Sequence, residues 1–263
     1  MKTNSKKEKG GFGKKIAIAG LATLLSLIPF KTQAQDKRFS VGLLYEVGQP
    51  AYTSLKAEHE DYNKLHNTLG GPGYIPGFKD LTNPGLLHML GAEASVKLTE
   101  NLNAIGSFST SIGNEWKYNE TYNKNGYKTI ERTEKADIKE LNLGLEGTIQ
   151  VGNFTFSAGG GAVWNDVDFQ SDHTTTWTDT DWVKSTTKTS GNGWGYFIDG
   201  KIIYKFNKNW GIGAGVSYEN NPVGTSGNII TNWKNGKTFN EPTSLNVELE
   251  RANFKFSVIS IFD

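Results

Sequence analysis

The chain has 263 residues, with 28 basic and 27 acidic side chains, a formal net charge of +1 and no cysteine. That balance offers no basic surface for a nucleic acid, and the lack of cysteine excludes both a disulfide framework and a lipid-modified cysteine anchor. The basic residues are also unevenly placed.

Lys2, Lys6, Lys7, Lys9, Lys14 and Lys15 crowd the N-terminus, and residues 16–30 form an uncharged apolar run followed by Thr32-Gln33-Ala34. The run is shorter than the ~20 residues a spanning helix needs, and small residues at alternate positions suit a signal peptidase. Residues 1–34 are therefore expected to be a cleaved signal peptide and residues 35–263 the mature domain. The leader carries seven lysines and one glutamate, so the remainder has five more carboxylates than cations. With no other long apolar run, membrane insertion of the mature part would have to use strands closed into a barrel.

Period-two alternation begins at once. Phe39, Val41, Leu43, Tyr45 and Val47 share one face, and Ser40, Gly42, Leu44, Glu46 and Gly48 the other. The apolar face recurs in Leu90-x-Ala92-x-Ala94-x-Val96-x-Leu98 and in Leu102 to Ile112, then in Leu141 to Val151 and Phe154 to Trp164. Trp194 to Phe206, Trp210 to Tyr218 and Phe254 to Phe262 complete eight segments, each about as long as a tilted membrane strand. Thr99-Glu100-Asn101, Gly152-Asn153 and Asn207-Lys208-Asn209 are tight turns, whereas 49–88, 113–138, 165–193 and 219–244 are long and polar. Short turns at one rim and long loops at the other, with both termini on the turn side, require an even strand count. The expected fold is all-β, an eight-stranded antiparallel up-and-down transmembrane barrel with long extracellular hairpins and no attached periplasmic domain.

The opposite faces fit a narrow lumen. Gly42, Gly91, Gly144, Gly159, Gly161 and Gly195 leave room there for a few large charged groups, expected to be Glu46, Glu93, Lys97, Glu146, Asp199, Lys201, Lys205, Glu219 and Lys255. Charges in so narrow an interior must pair, so these nine are read as a network that plugs the lumen, in preference to a gated ion path. On the outside, Phe154, Tyr204, Phe206, Trp210 and Phe262 fall at the turn end, and Tyr45, Trp164, Trp194, Tyr196 and Tyr218 at the loop end, as two interfacial girdles would.

The eight alternating segments and the terminal strand Phe254-x-Phe256-x-Val258-x-Ser260-x-Phe262 resemble the small outer-membrane barrels, the OmpA transmembrane domain, OmpX and the opacity-type proteins. The resemblance covers nearly all of the mature chain. It implies residence in the outer membrane of a Gram-negative bacterium, contact with lipid and lipopolysaccharide, and recognition of Phe262 by the barrel-assembly machinery, although Asp263 follows that aromatic residue.

No cofactor, metal or catalytic residue is expected. Some small barrels modify lipids, but His88, the best placed of His59, His66, His88 and His173, has Leu90 and no serine next to it on its face. Asp166, Asp168, Asp172, Asp179 and Asp181 could hold a hard cation, yet they lack the spacing and glycine of a known calcium loop. Function is instead expected in protruding hairpins: Trp116, Tyr118, Tyr122 and Tyr127 around a turn at Asn123–Gly126, Trp177 and Trp182 in a Thr-rich stretch, and Trp233 before a turn at Asn235-Gly236. These would present a binding surface to an extracellular protein or glycan, as in adhesion. A narrow channel, a lipid-modifying enzyme and a non-catalytic part of a secretion machine are the alternatives.

Overall fold

A computed structural model describes residues 39–52, 86–113, 115–123, 127–178 and 181–262. The proposed signal peptide, His59, His66, Asp179 and the tip residues 124–126 lie outside the described residues.

Among the described residues nine strands follow one another: β1 (Phe39–Tyr52), β2 (Leu87–Thr99), β3 (Leu102–Ser111), β4 (Glu115–Asn123), β5 (Tyr127–Val151), β6 (Phe154–Thr178), β7 (Asp181–Lys205), β8 (Trp210–Trp233) and β9 (Thr238–Phe262). Except for β3 and β4, neighbours in sequence pair antiparallel; β1 also pairs with β9 and β3 with β5, which closes a ring of eight strands. The ninth, β4, is not part of that ring. It continues β3 outward after a break at Gly113, whose φ of 68° is readily adopted only by glycine, and pairs with β5 alone. The third segment expected from alternation is thus one strand interrupted at the barrel rim.

The alternation sets which face meets lipid. Leu43, Ile149, Trp194 and Phe254 are 70%, 67%, 61% and 61% exposed, and the residues that flank them in sequence turn inward. An apolar belt of this size is incompatible with water and matches the outer surface of a transmembrane barrel. Aromatic pairs stand at the turn end, where Phe39 stacks on Phe262 with centroids 4.6 Å apart and Phe154 meets Tyr204 at 5.1 Å. At the other end Trp164 lies directly opposite Trp194.

The links 113–138, 165–193 and 219–244, read from sequence as long polar connections with hairpin character, are ladder for most of their length. β5, β6, β7 and β9 have 25 residues each and β8 has 24, against about 9–11 needed for a crossing. β1 and β2 stop short, at 14 and 13 residues. Beyond the membrane the barrel therefore opens into a sheet of β4–β9 whose two edges are the outer half of β9 and β4. The turn at Asn235-Gly236 has the backbone its sequence demands: Gly236 has a φ of 81°, and its N–H donates to the Trp233 carbonyl at 3.0 Å.

Candidate functional site

Two regions carry polar chemistry, the lumen and the outward sheet. In the lumen the inward positions of the strands converge, and their side chains form layers along the barrel axis. At the turn-side mouth a cavity of about 160 Å³ is lined by Lys97, Glu146, Lys201 and Lys205. Above it, Lys201 pairs with Glu93 at 3.1 Å, and a pocket of only about 40 Å³ lies between Glu93, Asp199, Lys201 and Lys255. Phe197 crosses this level, with the Lys255 ammonium 5.8 Å from its ring centre. A methyl group on Gly144 would run into the Gly160 carbonyl of the neighbouring strand and come within 3.0 Å of the Phe197 ring, so glycine here admits a close backbone as well as an inward aromatic.

The next layer is the tightest. Arg251, 1% exposed, pairs with Glu140 and, through Nη2 at 2.5 Å and Nε at 2.7 Å, with Glu219. Lys255 reaches Glu46 at 3.3 Å and Glu219 at 3.8 Å. Asn253 donates to Glu219 at 3.2 Å, and Asn142 to Glu140 at 2.5 Å. Glu46, Glu140 and Glu219 come close enough together to suggest an ion site, but the Arg251 guanidinium is bonded to two of the three and supplies the positive charge itself. Beyond Arg251, whose Nη1 contacts the Met89 sulfur at 2.8 Å, the lumen turns apolar: Leu87, Met89, Ala136, Ile138, Val167, Phe169, Val223 and Leu249 form one buried cluster.

Six of the nine charges expected inside, Glu46, Glu93, Asp199, Lys201, Glu219 and Lys255, thus gather in the middle of the lumen, while Lys97, Glu146 and Lys205 line the mouth. Sequence reasoning missed Arg251 and Glu140, the centre of the network, and the apolar cluster above them. The signal was present: Arg251 has the same parity as Lys255, and Glu140 the same as Glu146. Truncating those two strands to one membrane thickness cut both residues off.

On the outside, His88 accepts or donates a 2.7 Å hydrogen bond with Tyr45, an interfacial pair on the outer wall. Among the described residues, Asp166, Asp168 and Asp172 form no cluster that could hold a metal ion. Asp166 pairs with Lys139 at 3.0 Å, and Asp172 accepts 2.6 Å bonds from both Thr186 and Gln170. Burial pushes the Asp172 carboxyl up, but those two donors, together with the charges of Lys184 and Lys188, outweigh it and hold the group below its ordinary pKa. Lys135 is held above its ordinary value by its hydrogen bond to Asp137, 2.9 Å away.

The loop aromatics fall along the distal part of the sheet. Trp116, Tyr118 and Tyr122 occupy β4 opposite Glu134, Arg132 and Lys128, Tyr127 faces Asn123, and Trp177 falls at a register shift between Thr176 and Thr178; the side chains of these five lie outside the described residues. Trp182 is half-buried, and Trp233, 40% exposed, pairs with Val183 at the same rim.

No protein-family model and no curated protein matches the chain. Among solved structures it is similar to the outer membrane protein OprG from Pseudomonas aeruginosa, at 12% identity over 87% of this chain and 97% of that one, with a TM-score of 0.47. It is also similar to a major outer membrane protein from Thermus thermophilus, at 10% identity over 84% and 99% of the two chains, with a TM-score of 0.43. The attachment invasion locus protein Ail of Yersinia pestis gives 10% identity over 87% and 100%, with a TM-score of 0.40. Eight antiparallel strands closed up-and-down, with an apolar belt outside and charge within, make this chain a small outer-membrane β-barrel in fold.

Proposed function

We propose that the protein is exported by a signal peptide over residues 1–34, inserted in the outer membrane with help from its terminal Phe262, and acts as a non-enzymatic surface barrel. On this reading its lumen is sealed and its outward sheet recognises an extracellular protein or glycan. One observation carries it: five strands of 24 or 25 residues, more than twice what a crossing requires, are hydrogen-bonded to their tips. A barrel that needed only membrane residence would gain nothing from that extension. The rim bears Tyr127, Trp177, Trp182 and Trp233, aromatic types that give a large contact area at low entropic cost. The β4 edge contains no proline and could take up an extended partner strand, whereas the outer half of β9 is interrupted by Pro242, which has no N–H to offer.

The test is to replace residues 173–185 by a tight turn. Heat-modifiable migration of the folded barrel should persist, and capture of host cells or matrix glycans by expressing bacteria should fall. Unchanged capture, with the β4–β5 and β8–β9 tips trimmed in turn, would reject surface recognition.

A further inference from the structure

Two-residue steps along β8 lead from Val223, in the buried apolar cluster, through Thr225 and Thr231 to Trp233, so all of them share the inward face. Thr225 and, on β7, Thr189 are still covered, at 3% and 4% exposed. Beyond them the register sets Thr187 beside Ile229 and Glu241, then Ser185 beside Thr231 and Phe239, and finally Val183 beside Trp233. Here the inward wall is open. Ser185, Thr187 and Thr231 are half-buried, whereas Trp233 and Phe239 are 40% and 50% exposed. The two rings are diagonal neighbours across the β8–β9 ladder, a spacing that aromatic side chains span. Below them the Ser185 and Thr231 hydroxyls stand 3.2 Å apart. Among these described inward positions there is no lysine or arginine, and the one carboxylate is Glu241; Lys184 and Lys188 alternate to the opposite face, and Lys234 and Lys237 belong to the tip turn.

We propose that this inward tip of β7–β9 binds a neutral glycan from outside the cell, with a sugar ring stacked on Trp233 and Phe239 and its hydroxyls bonded to Ser185, Thr187, Thr231 and Glu241. The site rests on the surface-recognition reading and narrows it to one face and one class of ligand. A hexose has an apolar C–H face edged by hydroxyls, the complement of aromatic rings set above a row of hydroxyls. An apolar peptide side chain would instead strip water from Ser185, Thr187 and Thr231 without replacing its hydrogen bonds. Charge selects among glycans: a sulfated or uronic chain would meet Glu241 with no cation on the same wall to offset it. Position selects the source. Val183 lies eleven residues beyond Trp194, roughly 36 Å along the strand, so the wall clears the headgroup layer and is turned away from the surrounding lipid.

The experiment applies the full-length mature barrel, folded in a detergent without a sugar headgroup, to an array of neutral gluco-, manno-, galacto- and N-acetylhexosamine oligosaccharides beside heparin-derived and sialylated chains. Wild type should bind neutral chains and leave the anionic ones empty. On the tightest neutral chain, followed by interferometry, Trp233→Ala/Phe239→Ala should bind about tenfold or more weakly, the loss expected for central aromatic contacts. Ser185→Ala/Thr231→Val should bind about fivefold more weakly, as for lost hydrogen bonds. Trp233→Tyr/Phe239→Tyr and Lys234→Ser/Lys237→Ser should both retain binding. An empty neutral set, preference for the anionic chains, or equal binding by wild type and the aromatic-to-alanine variant, both heat-modifiable, would overturn the site and leave surface recognition standing. Unchanged capture by cells after the tips are trimmed would instead overturn the reading on which the site rests.

Discussion

The inner and outer halves of this molecule are built from the same strands and obey opposite rules. Within the membrane, β5–β9 close with β1–β3, the outer face is apolar, and every charge is turned into a narrow lumen where it must find a partner. Beyond the belt the same β5–β7 put Lys135, Asp137, Asp168 and Lys188 on the outside and bury Ala136, Ile138, Val167 and Phe169 within. The side-chain parity never changes; only the solvent outside does. A strand can therefore run through both environments without a bulge, and the inversion from apolar-out to apolar-in marks the membrane surface more sharply than any single residue.

The largest effect should come from the tightest point. Arg251→Ala leaves Glu140 and Glu219 buried without their guanidinium and should cost about 3–5 kcal/mol of unfolding free energy in urea titrations of the lipid-embedded barrel. Arg251→Met combined with Glu140→Leu and Glu219→Leu should recover most of that loss, because the desolvation penalty goes with the charges. A single substitution costing less than ~1 kcal/mol would show that the cluster is solvated.

Next comes the contrast between halves. Ile198→Arg, in the belt, should cost about 2–4 kcal/mol, and Ser190→Arg, on the same outward face of β7 beyond the aromatic row, close to nothing. Equal costs would remove the boundary drawn at Trp194.

Smaller still is the expected conductance. With the Arg251 layer and the apolar cluster both in place, purified protein in planar bilayers should show no reproducible single-channel steps, since an eight-stranded interior is filled by side chains. Large steps would promote the channel reading over the sealed one.

The slightest effect concerns Asp172. Its folded pKa lies below the ordinary 3.8, so its contribution to stability is complete above that value and is lost as pH falls through the folded value. Asp172→Asn should flatten the acid limb of the stability profile below about pH 3.8 and remove the same small stabilisation at neutral pH. An unaltered acid limb would mean that Thr186 and Gln170 do not hold the carboxylate in solution.

Eight strands, their faces and their tight turns are legible in the sequence because alternation is a local property: Leu43, Leu143 and Phe254 announce the lipid face without knowledge of any partner. Gly236 announces its turn for the same reason. What alternation cannot convey is pairing across the lumen. Arg251 and Glu140 are separated by more than a hundred positions, and only the closed register brings them together. The length of the ladder is equally hard to read, since a strand that leaves the membrane exchanges its apolar outer face for Lys, Asp and Thr and so imitates a polar loop. Phe169 and Leu249 escape notice because an apolar side chain on a lumen face contradicts the rule that holds ten residues earlier or later.

The boundary between halves can be measured directly because the chain contains no cysteine. Single cysteines at Ser190, Ile198 and Lys208 sample the outer wall, the belt and a turn on one continuous stretch of β7–β8, and a membrane-impermeant maleimide applied to intact cells reads their exposure. The account predicts labelling at Ser190, none at Ile198 with or without permeabilisation, and labelling at Lys208 only after the outer membrane is breached. Labelling of Lys208 in intact cells, or of Ile198 in the folded protein, would contradict it.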